Sequence, residues 1–302
     1  MRIAMTGSTG FIGRALTQSL TRLGHRITRI VRPSTQHAAV AGDVIGWDPR
    51  VGHIDGPGLE DHDAVIHLAG APIGRWPWTA RYKQEILESR RIGTTLLVQT
   101  LVRLQRPPRV LLSQSAIGYY GSRAPDATVD ESSGPGMGFV TRVVLAWEEA
   151  THPAREAGIR VVNTRTANVM GPGGGFLAPF LLPWKLGLGA RFGSGRQIVS
   201  WVVLADYLQI VDFLLRRGDL CGPVNIAAPN AVSNAEFTRI LATVLRRPAV
   251  FVLPGFVLRL ALGELAGEIL GGVRVVPRKL QDVGYRFTYP DLEPALRDIL
   301  GR

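Results

Sequence analysis

The stretch "TGSTGFIG", residues 6–13, decides the fold because it joins a short apolar strand to an amphipathic helix. The strand is "RIAMTG" (2–7), and the helix "FIGRALTQSLTRLG" (11–24) has apolar residues at helical spacing. Three glycines are spaced three residues apart in the stretch, Gly7, Gly10 and Gly13. Such glycines form a tight turn, let the backbone approach a pyrophosphate and let the helix pack on the strand. The helix N-terminus then offers free N–H groups and a positive dipole end to the phosphate. The stretch therefore predicts a dinucleotide site at the start of an α/β fold.

Apolar strands alternate with helices over most of the chain. The further strands are predicted at 25–31, 63–70, 109–116, 159–171 and 222–229, and a second long helix at 79–104. This alternation predicts a Rossmann-type, doubly wound parallel sheet with helices on both faces. We predict a dinucleotide-binding domain over residues 1–230. A small, mainly helical C-terminal lobe over 231–302 should lie over the open side of the cofactor.

The cysteine content and the apolar segments indicate the cellular compartment of the protein and whether the chain spans a membrane. Cys221 is the only cysteine, which excludes an internal disulfide and suits a reducing compartment. The first residues run directly into a strand, so we predict no signal peptide and a cytoplasmic protein. The longest apolar segment, 250–270, is interrupted by a proline and three charged residues. It predicts a buried or half-buried amphipathic helix after Pro254, and no membrane span.

The net charge of +11 comes mainly from arginines that are scattered along the chain. A scattered excess does not predict specific nucleic-acid binding, but it favours anionic ligands such as phosphates. We expect a small-molecule substrate and no metal site. The sequence leaves a homodimer open.

The end of the second strand bears on the choice of cofactor. An acidic residue there would accept the ribose hydroxyls of NAD, but Arg32 occupies the place. Because arginine suits the additional phosphate of NADP, we predict NADP, with NAD as the less favoured cofactor. Asp48, in "GWDP", lies near the adenine or is an ordinary turn aspartate.

Several further motifs follow in a recognisable order. They are "HLAG" (67–70), "SQSAIGYYG" (113–121), "RTANVMGP" (165–172) and "GSGRQIVSWVVLAD" (193–206). With the glycine turn, they make the chain resemble an extended short-chain dehydrogenase/reductase of the NAD(P)-dependent epimerase/dehydratase superfamily. "ILESRRIGT" (86–94), "VSW" (199–201) and the tail from residue 276 resemble a subgroup of epimerase family proteins with a C-terminal domain of unknown function.

The resemblance implies residues for cofactor and substrate. The cofactor set combines the glycine turn, the ends of the next strands and a nicotinamide-end loop: Thr6, Gly7, Thr9, Gly10, Phe11, Ile12, Gly13, Arg32, Asp48, His67, Leu68, Ala69, Gly70 and Asn168. The resemblance places Arg196, Gln197 and Trp201 toward the substrate. The implied activity is that of an oxidoreductase or epimerase.

The wider family uses a serine, a tyrosine and a lysine, and only the serine is matched here, by Ser115. Val140 and Val144 stand where the tyrosine and the lysine are expected, and valine cannot transfer a proton. Two readings follow: an enzyme with an unusual acid, or a catalytically silent NADP-binding regulator or scaffold, for example one linked to cell division.

For the enzyme, we predict that Tyr119 or Tyr120 supplies the proton, because both follow Ser115 at the ligand edge of the sheet. Only one of them should face the pocket, since neighbouring side chains of an extended segment alternate. Arg90 would lower the pKa of that phenol. The alternative for Tyr119 is a ring that only packs under the loop, and the alternative for Arg90 is a solvated arginine on the helix surface.

Overall fold

The computed structural model describes residues 1–32 and 43–301, and its centre is an eight-stranded sheet in the order β14-β8-β6-β5-β1-β2-β3-β4. The strands are β1 (Arg2–Thr6), β2 (Arg26–Val31), β3 (Val44–Asp48), β4 (His53–Ile54), β5 (Ala64–His67), β6 (Val110–Ala116), β7 (Thr128–Val129), β8 (Arg160–Thr166), β9 (Asn168–Gly171), β10 (Gly174–Gly175), β11 (Ala190–Phe192), β12 (Ile198–Val199), β13 (Trp201–Val203), β14 (Gly222–Ile226), β15 (Val232–Ser233), β16 (Phe251–Leu253) and β17 (Arg274–Val275).

The helices cover both faces of this sheet. They are α1 (Phe11–Arg22), α2 (Ala80–Leu101), α3 (Phe139–Glu149), α4 (His152–Glu156), α5 (Ala178–Lys185), α6 (Leu204–Arg216), α7 (Asn234–Leu245), α8 (Gly255–Leu262), α9 (Leu265–Leu270), α10 (Arg278–Asp282) and α11 (Leu292–Leu300). Short 3₁₀ helices lie at Pro57–Leu59 and Ile117–Tyr120. One core contains buried side chains of α1 and α6, and the opposite core contains those of α2.

The predicted parallel sheet is confirmed. Strand β1 pairs in parallel with β2 on one side and with β5 on the other. The chain order therefore reverses at β1, and open sheets of this kind bind ligands at the carboxyl ends of the strands beside such a switch. The sheet edge formed by β3 and β4 was not predicted, and β4 is antiparallel to β3.

The glycine turn holds α1 against the sheet. Gly7 has a φ of +68°, and an added Cβ would lie 2.9 Å from the backbone carbon of Leu68. A Cβ on Gly13 would overlap the backbone oxygen of Gly7 and lie 2.7 Å from the Cα of Ser8. The first glycine therefore permits the turn and the third permits close packing, as the sequence predicted.

The C-terminal part is mainly helical and shares a core with the loops that precede it. Buried residues of α7 and α11 pack with Met170, Leu177 and Trp201. This core includes residues on both sides of position 230, so the boundary between 1–230 and 231–302 stays a prediction.

The apolar segment 250–270 contains α8 and α9 and is half-buried. Leu258 and Ala266 are buried, whereas Phe256 is 70% exposed and Leu260 87% exposed. Within residues 1–32 and 43–301, no helix has the length and apolar character needed to cross a membrane.

Candidate functional site

A cleft of about 470 Å³ opens at the carboxyl ends of the central strands, on the side of the glycine turn. Its lining includes eight of the residues that the sequence predicted for the cofactor: Gly7, Thr9, Gly10, Arg32, Asp48, Leu68, Ala69 and Gly70. Ser8 and Arg50 line it as well and were not predicted.

The turn side of the cleft is suited to an anion. No side chain caps the N-terminus of α1, and its first turn has no acidic residue. The Oγ of Ser8 is buried and has no hydrogen-bond partner among the described residues. A buried hydroxyl without a partner is costly, so this group is available to a ligand oxygen. The turn therefore fits a pyrophosphate.

The opposite side of the cleft carries two arginines. Arg32 is exposed at the end of β2, and Arg50 is exposed just after β3. The carboxylate of Asp48 accepts the backbone N–H of Arg50 at 3.0 Å, so this aspartate closes a turn while it lines the cleft. Arg50 escaped sequence reasoning because β3 was not recognised as the neighbour of β2.

Thr6 and His67 are buried behind the cleft and hold its strands together. The Thr6 Oγ1 accepts the backbone N–H groups of Leu68 and Ala69, so its own proton goes to the His67 Nδ1 at 2.7 Å. The His67 Nε2 then donates to the Thr94 Oγ1 at 3.0 Å. Burial, aided by the nearby charge of Arg90, lowers the pKa of His67 to about 4. This histidine is neutral, and both ring nitrogens are occupied.

Arg90 lies under the loop that follows β5. Its Nη1 donates to the backbone oxygens of Ala71 and Ile86, both at 3.0 Å. The guanidinium lies 4.8 Å from the ring centre of Trp147, and a Cβ added to Gly70 would lie 3.1 Å from the Arg90 Cζ. Burial lowers the pKa of Arg90 to about 10. The structure thus places Arg90 beside the Gly70 loop.

Ser115 lies at the end of β6 and contacts a buried ion pair. Its hydroxyl donates to the Glu148 Oε1 at 2.6 Å. Arg165 binds the same carboxylate with two bonds, from Nε at 2.9 Å and from Nη2 at 2.8 Å. Burial opposes the charge of Arg165, but the bonds and the charge of Glu148 outweigh it and raise the pKa of the guanidinium.

Arg165 contacts both tyrosines, but it bonds to the hydroxyl of Tyr120 and stacks on the ring of Tyr119. The Tyr120 hydroxyl is buried, donates to the Asn225 Oδ1 at 2.8 Å and accepts from the Arg165 Nη1 at 3.1 Å. Burial raises the pKa of Tyr120 to about 12. The Tyr119 ring stacks on the guanidinium, with 3.4 Å between its centre and the Arg165 Cζ. The Tyr119 hydroxyl has no hydrogen bond to any residue that the structure describes.

The two valines pack where the sequence placed them. Val140 and Val144 are buried on α3, and a Cβ on Gly118 would overlap the Val140 Cγ1. Glu148 is one further turn along the same helix face. The spacing of residues 140, 144 and 148 indicates that Glu148 shares a helix face with the two valines. It does not reveal that Arg165 is the ion-pair partner of Glu148.

The predicted cofactor residues Phe11, Ile12 and Asn168 are not among the residues that line the cleft. The Phe11 ring packs against Gly171 and Gly174, where a Cβ would meet it. Ile12, in the first turn of α1, is half-buried against the core that contains Leu16 and Leu20. The Asn168 Nδ2 donates to the backbone oxygen of Ser200 at 2.9 Å.

The three residues predicted for the substrate lie in unlike surroundings. Arg196 is exposed. The Gln197 side-chain amide donates to the backbone oxygen of Phe192 at 3.0 Å. Trp201 is fully buried, and its Nε1 donates to the backbone oxygen of Asn230 at 3.1 Å. Of the three, only Arg196 presents its side chain to solvent, and the substrate roles stay predictions.

Replacing the buried carboxylate should destabilise the fold. Glu148→Gln leaves the Arg165 charge without its partner, so we expect the free energy of unfolding to fall by about 3 kcal/mol or more. The control is Glu293→Gln, because Glu293 pairs with Arg297 on an exposed helix face and should cost at most about 0.5 kcal/mol. Urea denaturation measures both, and equal losses would contradict the assigned burial of the pair.

His67 should make the protein less stable in mild acid. As the pH falls, the unfolded chain binds a proton near pH 6.5, whereas folded His67 binds one only near pH 4. Stability is therefore lost over this window, by roughly 3 kcal/mol when complete. The loss should shrink in His67→Gln and persist in His53→Gln, an exposed position. Denaturation at a series of pH values tests this, and an unchanged slope in His67→Gln would refute it.

Comparison with known proteins agrees with the predicted resemblance. A model of the NAD dependent epimerase/dehydratase family matches residues 3–227, and a domain of unknown function (DUF1731) matches residues 253–299. Epimerase family protein Mb2239 of Mycobacterium bovis is 38% identical over 295 residues, which cover 97% of this chain and 96% of that protein.

Solved structures give the same result. Human epimerase family protein SDR39U1 (isoform 2), crystallised with NADPH, has a TM-score of 0.91 at 32% identity, and the match covers 100% of this chain and 99% of that chain. MoeE5, in complex with UDP-glucose and NAD, has a TM-score of 0.78 at 21% identity, with 100% and 98% covered, which shows a shared fold. Since the family model spans most of the chain and full-length relatives exceed 30% identity, the chain belongs to the NAD-dependent epimerase/dehydratase family.

Proposed function

We propose that the chain binds NADP(H) in the cleft and acts as an oxidoreductase or epimerase on a small substrate. The excess of arginine also allows this substrate to be an anion. The observation that carries the proposal is the pair of arginines, Arg32 and Arg50, facing a turn suited to a pyrophosphate. Guanidinium groups bind phosphate oxygens strongly, so this pair favours the phosphorylated ribose of NADP(H). The NADPH bound to the human relative supports the same choice.

The chain's own residues would hold this cofactor at its phosphates. Gly7 and Gly10 line the cleft at the turn, Ser8 offers a hydroxyl that is unbonded among the described residues, and the N-terminus of α1 offers its N–H groups. When bound, such a cofactor supplies reversible hydride transfer.

Ser115 would orient the substrate through the hydrogen bond that it makes with Glu148. Because the Ser115 hydroxyl donates its hydrogen bond to the Glu148 carboxylate, the lone pairs of the Ser115 oxygen would be available to accept a hydrogen bond from a substrate hydroxyl. Tyr119 is the better of the two candidate acids, since the Tyr120 hydroxyl is held by Arg165 and Asn225.

A catalytically silent NADP-binding regulator is the second candidate. It is favoured by the dry packing of Val140 and Val144 on Gly118, where the family's tyrosine and lysine would act. Cofactor binding is common to both candidates, so only turnover distinguishes them.

The two arginines should determine the choice of cofactor. We expect the native chain to bind NADPH more tightly than NADH. Arg32→Ala and Arg50→Ala should each weaken NADPH binding by roughly tenfold to a hundredfold, because each removes a charge-assisted hydrogen bond, and should leave NADH nearly unchanged. Fluorescence titration measures this, with Arg103→Ala as a control on an exposed arginine outside the cleft. Equal affinities of the native chain for both cofactors would refute the assignment.

Turnover should depend on Ser115 and Tyr119. Carbonyl compounds are screened for NADPH oxidation, and Ser115→Ala, Tyr119→Phe and Tyr120→Phe are compared on any substrate found. Loss of a general acid costs about 10²–10⁴-fold in rate, so Tyr119→Phe should fall in this range and Tyr120→Phe should fall less. Full activity in all three variants would reject this site. Tight NADPH binding without any turnover would favour the regulator.

A further inference from the structure

A cluster of apolar side chains is exposed far from the glycine turn in sequence, on α5, β16, α8 and their flanking loops. Its members are each at least half exposed, and Val250, Phe256 and Leu260 reach 74%, 70% and 87%. The set is Leu182, Leu186, Leu188, Val250, Phe251, Val252, Phe256 and Leu260, here termed the apolar patch. Monomeric proteins rarely expose so many large apolar side chains together, and such a surface marks an interaction site.

The patch residues come from two segments, 182–188 and 250–260, and direct contacts show that these segments are neighbours. Strand β16 pairs in parallel with β11, with Phe251 opposite Ala190. The Arg247 Nε donates to the backbone oxygen of Lys185 at 3.1 Å. Residues 185–192 and 247–253 therefore lie side by side.

The patch is bordered by positive charge without compensating acid. Lys185, Arg246 and Arg247 surround a groove of about 360 Å³ beside it, and Arg259 is exposed on α8. The segments 181–192 and 245–262 contain no aspartate or glutamate. The next acid in the sequence, Glu264, is already paired with Lys83 at 2.7 Å.

We propose that the apolar patch and these cations dock the protein on the surface of an anionic lipid bilayer. Apolar side chains enter the boundary between headgroups and acyl chains, while lysine and arginine remain with anionic headgroups. A second copy of the chain suits the surface less well, because it would bring further cations to a patch that has no acid to receive them. This inference concerns a surface other than the cofactor cleft and goes beyond the proposed function.

Vesicle flotation of the full-length chain tests the proposal. We expect binding to vesicles of phosphatidylcholine with phosphatidylglycerol, weak binding to phosphatidylcholine alone, and loss of binding as salt is raised. Phe256→Ser and Leu260→Ser should each lower the partition coefficient roughly tenfold, because each removes one inserted side chain. Arg246→Gln and Arg247→Gln should each lower it roughly fivefold.

The control is Leu23→Ser, which removes a 51% exposed apolar side chain at the end of α1, outside the apolar patch, and should bind vesicles as the native chain does. Thermal unfolding confirms that each variant is folded. NADPH titration of each variant shows whether its cofactor site is intact, so that a loss of vesicle binding is not confused with a loss of cofactor binding. Absence of native binding to the anionic vesicles would overturn the proposal. So would a dimer in sedimentation velocity that Phe256→Ser dissociates, since the occupant would then be a second copy.

Discussion

The buried pair of Glu148 and Arg165 is the interaction on which the ligand edge of the sheet depends. A charge pair removed from water is costly unless further hydrogen bonds satisfy it. Here the Ser115 hydroxyl donates a hydrogen bond to the Oε1 of Glu148. The Nη1 of Arg165, which does not bond to the carboxylate, donates a hydrogen bond to the Tyr120 hydroxyl. The pair therefore fixes α3, β6, β8 and the 3₁₀ turn at 117–120 relative to one another.

The same network extends to the C-terminal part. Tyr120 bonds to Asn225 on β14, and the side-chain amide of Asn225 donates to the backbone oxygen of Val276 at 3.0 Å. The backbone N–H of Asn225 donates in turn to the buried Glu131. Ser115 at the ligand edge is thus linked to the mainly helical part by a continuous set of hydrogen bonds through Glu148, Arg165, Tyr120 and Asn225.

Sequence reasoning succeeded where one local pattern decides the structure. The glycine turn and the parallel strands followed from local patterns, because strand, turn and helix are adjacent in the chain at residues 2–22, and the family resemblance supplied eight of the residues that line the cleft. It failed where position depends on a distant partner. Nothing local marks Arg165 among so many arginines, and β3 is a short strand with a glycine in its middle.

The apolar helices show a different limit of prediction. In α8 nearly every side chain is apolar, so the sequence contains no contrast that would say which face is buried. Only the packing of Leu258 into the protein shows that Phe256 and Leu260 point outward. The proline and the charges that interrupt the segment predicted a buried or half-buried helix after Pro254, whereas the structure has two helices there, and the sequence could not assign their faces.

Val140, which stands where the resemblance implies a tyrosine, packs tightly against the 3₁₀ turn that precedes α3. Gly118 has no side chain, and Val140 occupies the space that a Cβ there would take. The 3₁₀ turn and α3 therefore lie close together, and an acid at position 140 would have to displace that contact. The polar contact between α3 and β6 is made one turn beyond Val144, by Glu148. If the cofactor end has a proton donor, it must come from another element, and the turn at 117–120 offers Tyr119 with its hydroxyl unbonded among the described residues and a cation on its ring.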